Sequence, residues 1–231
     1  MHNASRLTLL AVATLLVACG PKPVTVDQGD PGAEPVIPAS AEWVMLFDGT
    51  EASYADWTAS ENTDAFSFAD GEIVAHGDRS HLFYIGEVED HAFTNFVWSA
   101  EVMTMPNSNA GMYFHTRFQD EGWPDYGYEV QVNNTYNADP RKTCSLYAVD
   151  DVTEQIVPDN EWFTQEVTVV GKRIIVKVNG ETCTDYTEPD DPSSRDGVDD
   201  TRVIGSGTFA LQAHDPGSRV HFRDIKVKVL D

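Results

Sequence analysis

The sequence predicts an all-β sandwich in which about ten short strands form a jelly roll. Three observations point there. Apolar residues recur with a period of two, turn residues separate the short runs, and no long amphipathic helical stretch occurs between residues 42 and 231.

The chain starts outside that pattern. Arg6 precedes an apolar run from Leu7 to Val17, too short to span a bilayer, and Leu16-Val17-Ala18-Cys19 resembles the bacterial lipobox. Residues 1–18 therefore read as a lipoprotein signal peptide and Cys19 as the lipidated residue. The expected product is an exported lipoprotein of the cell envelope, at the outer membrane or periplasmic face in a Gram-negative host. Lipid alone would hold it, at about 0.8 kcal/mol per buried methylene. Residues 19–41 contain Pro21, Pro23, Pro31, Pro35 and Pro38 without hydrophobic periodicity, which reads as a flexible tether. Residues 42–231 then form one domain, a length that supports a single sizeable core.

Within the domain, Asp70-Gly71 joins Ala65–Phe68 to Glu72–Ala75, and Asn179-Gly180 joins Arg173–Val178 to a run beginning at Glu181. Both dipeptides favour the positive φ of two-residue hairpin turns. Further strands are expected over 95–103, 111–118, 127–133, 145–149, 163–170, 207–214 and 219–229. Alternation sorts their faces. Met112, Phe114 and Phe118 share one face, leaving Tyr113, His115 and Arg117 on the other. Tyr128, Val130 and Val132 oppose Glu129, Gln131 and Asn133; Leu146 and Ala148 oppose Ser145 and Tyr147; Phe209, Leu211 and Ala213 oppose Gln212 and His214.

If these strands share one curved sheet, its concave side gathers imidazole, guanidinium, carboxylate, amide and phenol groups. A sugar suits that inventory, because its hydroxyls need such partners and its apolar ring face stacks on aromatics. The expected substrate-binding residues are His115, Arg117, Gln131, Tyr147, Gln212, Tyr113 and Asn133, with His214 and Glu129 able to exchange protons. An ordinary solvated sheet face is the bland alternative, but it favours Lys, Glu and Thr over His, Gln and Tyr.

The charge narrows the partners. With 15 basic and 38 acidic residues the formal charge is −23, and losing Arg6 with the signal peptide makes it −24. Such a surface repels nucleic acid and anionic lipid, and is compatible with a neutral sugar. A monomer is expected. Apart from Cys19, Cys144 and Cys183 remain; in an oxidising compartment they form either a disulfide or two separate buried thiols. The acid-rich stretch Glu188–Asp200 lacks EF-hand spacing and reads as a solvated excursion. By analogy with jelly rolls in general, a structural calcium at Asp48 or Asp224 is an open alternative, and no metal ligand is assigned.

Nine short segments occur in an order similar to that of the 3-keto-disaccharide hydrolase-like domains. They are Val44-Met-Leu-Phe-Asp-Gly, Phe68-Ala-Asp-Gly-Glu-Ile, Asn109-Ala-Gly-Met-Tyr-Phe, Gly127-Tyr-Glu-Val-Gln-Val, Ser145-Leu-Tyr, Glu161-Trp-Phe, Val178-Asn-Gly, Ala210-Leu-Gln-Ala-His and Phe222-Arg-Asp-Ile-Lys-Val. The resemblance implies a concanavalin A-like jelly roll of two antiparallel sheets, related in fold to family 16 glycoside hydrolases and lectin-like modules. It also implies action on a glycoside already oxidised to a ketone at the third ring carbon. There a base removes the acidified neighbouring C–H proton, the glycosidic oxygen leaves the anomeric carbon, and water adds to the enone.

Glu129-x-Gln131-x-Asn133 stands where family 16 enzymes carry Glu-x-Asp-x-Glu. Amides cannot act as nucleophile or proton shuttle, which disfavours ordinary retaining hydrolysis here. Where many members read Asn-Ser-Gly-Ile-x-Phe-Arg, His115 ends the motif and Arg117 lies two residues later, expected on the same face. Thr143-Cys144 stands where members carry Thr-Gly. Two functions follow as expectations: a glycoside-cleaving enzyme with His214 or Glu129 as base and Arg117, His115 and Gln131 as oxyanion and hydroxyl contacts, or a non-catalytic carbohydrate-binding module using the same cleft.

Overall fold

The computed structural model describes residues 33–231, so the signal peptide, Cys19 and tether residues 19–32 lie outside the described residues. In chain order the strands are β1 (Val44–Phe47), β2 (Trp57–Ala59), β3 (Phe66–Ala69), β4 (Glu72–Ala75), β5 (Ser80–Tyr84), β6 (Asn95–Thr104), β7 (Ala110–Thr116), β8 (Tyr128–Val132), β9 (Phe163–Val170), β10 (Arg173–Val178), β11 (Glu181–Thr187), β12 (Thr208–Ala213) and β13 (Val220–Leu230). They form two antiparallel sheets. The larger runs β11-β10-β9-β6-β13-β4-β3 with β1 also on β13, and the smaller runs β2-β5-β12-β7-β8. The all-β sandwich that the period-two pattern predicts is the fold observed.

The core lies between the sheets. From the smaller sheet come Tyr128, Val130 and Val132 of β8 and Phe209 and Leu211 of β12; from the larger, Phe96 and Trp98 of β6, Val167 and Val169 of β9, and Ile174 and Val176 of β10, all solvent-excluded. Phe209 stacks on Trp98 at 4.3 Å and on Phe93 at 4.4 Å between ring centroids, so one aromatic column spans the layers. Both foreseen hairpins form, with positive φ at Asp70, Gly71, Asn179 and Gly180.

Residues 145–149 are not a strand. Cys144 and Ala148 take φ of +84° and +59°, so the segment turns on itself and only Leu146 bridges to Val130. It still borders β8: Gln131 N–H donates to Ser145 O and Tyr147 N–H to Glu129 O, each at 2.9 Å. A disulfide joins Cys144 to Cys183 of β11, with Cα atoms 6.2 Å apart, and ties this segment to the edge of the larger sheet.

A second departure shapes the site. On β7, Tyr113 faces Ala210 and Thr116 faces Thr208, so three steps oppose two, and His115 absorbs the extra residue at φ +55°. The extra residue breaks the alternation at His115, one residue before β7 ends at Thr116. The chain passes tightly there: a Cβ on Gly127, itself at φ +77°, would lie 2.0 Å from Phe114 O.

The N-terminal segment crosses the outer face of the larger sheet. Ile37 and Ala41 pack with Val97, Val170 and Leu230, Glu34 pairs with Lys177 at 2.5 Å and accepts from Thr182 at 2.7 Å, and Arg173 donates to Ala33 O. No helix among the described residues is long and apolar enough to cross a membrane.

Candidate functional site

A cleft of roughly 320 Å³ opens on the outer face of the smaller sheet. Its floor comes from alternation on adjacent strands: Tyr113 of β7 is the direct cross-strand partner of Glu129 on β8, and Gly111 that of Gln131. Gln212 of β12 completes the floor. Loops supply the walls: Trp123, Pro124 and Asp125 from one, Asp139 from a second, Asp199, Thr201 and Arg202 from a third, and His214 from the end of β12.

Glu129 is the centre of the floor. Its Oε2 accepts from Tyr113 Oη at 2.8 Å and its Oε1 from Gln212 Nε2 at 3.0 Å; Gln212 also donates to Tyr113 Oη at 3.0 Å. With its amide turned to satisfy both ends, Gln131 donates to Glu129 Oε1 at 3.1 Å. Burial pushes the Glu129 carboxyl up to about 7, against the pull of the Tyr113 bond, the Arg202 charge and the Gln212 bond. Burial first, and then the adjacent Glu129, raise Tyr113 well above its ordinary value, so its hydroxyl stays a donor. Only glycine fits beside this carboxylate: a Cβ on Gly111 would lie 2.4 Å from Glu129 Oε1.

His214 stands at the rim. Its Nδ1 lies 2.8 Å from Asp215 Oδ2, which also accepts from Ser218 Oγ, while Gly217 N–H donates to Oδ1. Burial pushes the Asp215 carboxyl up, but these three bonds outweigh it and hold the group below the usual carboxylate range. Asp215 is thus a charged acceptor beside His214 Nδ1, and it orients the ring so that Nε2 is the nitrogen not engaged by it. Arg202 lies over the Tyr147 ring at 5.2 Å and makes no ion pair within the described residues.

Of the residues predicted from sequence, Glu129, His214, Gln131, Tyr147, Gln212 and Tyr113 line this cleft. His115, Arg117 and Asn133 do not. The β7 bulge turns His115 inward, where Nε2 bonds Thr94 O, Nδ1 accepts from Gly205 N–H, and burial lowers its pKa to about 4. Past the bulge Arg117 is exposed and stacks on Tyr126 at 3.5 Å. Asn133 holds the next loop, donating to the carbonyls of Tyr136, Asp139 and Arg141.

The stretch 188–200 is largely exposed, as the solvated excursion expected from sequence, and is pinned to the fold at Glu188 and Arg195. Glu188 is buried, accepting from Tyr128 Oη at 2.5 Å and Ile204 N–H at 2.8 Å, while Arg195 donates to Tyr128 Oη at 2.7 Å. These bonds carry Asp199, Thr201 and Arg202 to the cleft. Asp48 is engaged by Thr50 and Ser53, and Asp224 pairs with Lys226. Among the described residues no group of three or more His, Cys, Asp or Glu side chains is gathered as a metal site.

Sequence reasoning missed Arg202, Trp123, Asp139 and His81. Arg202, Trp123 and Asp139 sit on loops, which carry no periodicity. His81 sits on β5, where all five residues are buried and no alternation is visible.

The family model of the 3-keto-alpha-glucoside-1,2-lyase-like domain matches residues 42–228. Among solved structures, a "putative glycosyl hydrolase" from Parabacteroides distasonis superposes with a TM-score of 0.68 at 22% identity, covering 85% of this chain and 99% of that one. Carbohydrate-binding module CBM66 from Bacillus subtilis gives 0.53 at 12% identity over 75% of this chain and 95% of its own. A Bacillus subtilis protein of unknown function with a galectin-like fold gives 0.56 at 12% identity, covering 82% and 96%. At these identities the likeness is one of fold. No curated protein matches significantly in sequence.

Proposed function

Since the chain belongs to the family of 3-keto-alpha-glucoside-1,2-lyase-like domains, we propose that it cleaves 3-keto-glycosides by elimination across the glycosidic bond, followed by hydration. One observation carries the reading: a charge-fixed His214–Asp215 pair, the buried Glu129 and the unpaired Arg202 converge on one cleft.

The roles follow from protonation. His214 Nε2 takes the ring proton beside the ketone, and Asp215 stabilises the imidazolium that forms. The C–H electron pair becomes the enolate, whose oxygen Arg202 faces. As the enolate collapses, the C–O bond to the leaving group breaks, and Glu129, half protonated near pH 7, supplies the proton that oxygen needs. Water then adds to the enone. Trp123 and Tyr147 offer ring faces to the sugar.

The test is turnover of a 3-keto-disaccharide by the purified mature protein. His214→Ala is expected to keep a native melting curve and lose about a hundredfold or more in rate, the scale of a general base. Tight binding of the glycoside with no turnover by the unsubstituted protein would replace this reading with that of a carbohydrate-binding module.

A further inference from the structure

Both ring nitrogens of His81 and the Oε1 of Gln212 are sealed from solvent with no hydrogen-bond partner among the described residues. The two residues are direct cross-strand partners on β5 and β12, on the face that carries the cleft. Buried polar groups are bonded in nearly all native structures, so two neighbouring unbonded ones beside a ligand cleft call for a function. His81 is wholly buried, and burial, with a smaller contribution from Arg79, holds its pKa down to about 3. It is therefore a neutral imidazole with one N–H donor and one nitrogen acceptor.

The rings of Tyr113, Trp123 and Phe83 enclose it, with centroids at 5.2, 5.6 and 6.3 Å, and of these three only Trp123 is exposed. The Trp123 ring lies 5.6 Å from the His81 ring and 5.5 Å from that of His214, yet Trp123 itself is 44% exposed. Its loop is held mainly from within, by Gln119 donating to the Glu121 and Trp123 carbonyls and accepting from Asp125 N–H. Outside ties include Gly122 N–H to Glu61 Oε1 at 2.9 Å, Arg79 over the Trp123 ring at 5.3 Å with Arg79 and Glu61 paired to each other, and Phe118 at the loop's start against Phe83 at 5.4 Å. Glu61 and Arg79 are both partly exposed, where such polar contacts are weak.

The geometry points to a covered sugar subsite: Trp123 swings off the sheet, and His81 with Gln212 receives a hydroxyl of the glycoside. A hydroxyl is the matching partner, since it accepts from the imidazole N–H while donating to Gln212 Oε1. The displaced indole is then free to stack on the apolar face of the ring. Such a subsite selects for the hydroxyl, because a deoxy sugar leaves both groups buried and unpaired as before. This inference rests on the reading of the cleft as a glycoside site.

The experiment measures diethyl pyrocarbonate labelling of His81, mapped by peptide mass spectrometry, in the mature protein and in Trp123→Ala. Labelling of His81 is expected to accelerate on the order of tenfold or more in Trp123→Ala, since a cover rather than the sheet limits access. A saturating 3-keto-disaccharide is expected to protect it. In parallel, His81→Phe, which keeps the packing volume, is expected to weaken glycoside binding about three- to tenfold, the loss of one neutral hydrogen bond.

Equal labelling rates in the two proteins would overturn the cover. Undiminished affinity in a folded His81→Phe would overturn the subsite while leaving the cleft reading intact. If that variant fails to fold, protection of His81 by the glycoside decides the matter. A protein that binds no glycoside at all defeats the cleft reading, and the subsite with it.

Discussion

Position 111 leaves space for a hydrogen atom and nothing larger, because the Glu129 carboxylate occupies the volume a methyl group needs. Gly111→Ala is expected to push that carboxylate off its Tyr113 and Gln212 donors and to cost about 1–3 kcal/mol, read as a lower melting temperature together with lost activity. Retention of both would mean the floor is more plastic than its contacts indicate. Glu129 also imposes a pH signature. Its carboxyl ionises at about 7 when folded against an ordinary 4.5, so between those values the folded chain keeps a proton the unfolded chain has released. Stability therefore falls as pH rises through that window and levels off above it. Glu129→Gln cannot titrate, so its stability relative to the unsubstituted protein should climb from pH 4.5 to 7 by on the order of 3 kcal/mol, whatever constant offset the amide introduces. His81 and His115, whose lowered values give stability the opposite slope, are present in both proteins and cancel in the difference. Parallel urea-melt curves for the two proteins across this range would refute the assignment.

Strand alternation made the floor legible in the sequence and also set the limit of that legibility. Tyr113, Glu129, Gln131 and Gln212 fall where a period of two places them, because the strands beneath bury clean apolar faces. His115 and Arg117 fall elsewhere because one extra residue in β7 inverts the count, and no turn dipeptide announces it. Loop residues are the other gap. Arg202 reaches the cleft only because Tyr128, Arg195 and Glu188 lash its loop to the sheet, a set of long-range bonds that no local pattern encodes. Arg195→Ala should therefore raise hydrogen exchange over 195–204 while leaving the strands protected, and should reduce turnover without lowering the melting temperature by much. Unchanged exchange in that segment would show the loop to be held by other means. The disulfide acts at the same scale: it closes a separation of 39 residues, for which chain entropy gives about 4 kcal/mol. Reduction should lower the melting temperature accordingly, and an unaltered melt would count against the bond.

At the scale of the whole molecule, the formal charge of −23 disfavours polyanionic partners and is compatible with a neutral sugar without selecting one. Lipidation at Cys19 remains our proposal for how the protein is retained at the envelope, and Cys19→Ser is its test: the variant should leave the membrane fraction, and continued pelleting after a salt wash would defeat the idea. The route of the N-terminal segment gives that attachment a mechanical meaning. Residues 33–41 lie along the outer face of the larger sheet, while the cleft opens on the outer face of the smaller one. A pull on the amino terminus thus enters through Arg173, Lys177 and Thr182, in the edge hairpin β10–β11, on the back of the sandwich. The described N-terminal segment and the cleft thus occupy opposite faces of the sandwich and do not compete for one surface. Of that hairpin's links, the Cys144–Cys183 bond is the covalent one that leads to the cleft side, so a displacement of the hairpin is passed directly to the segment hydrogen-bonded along β8 beside Glu129.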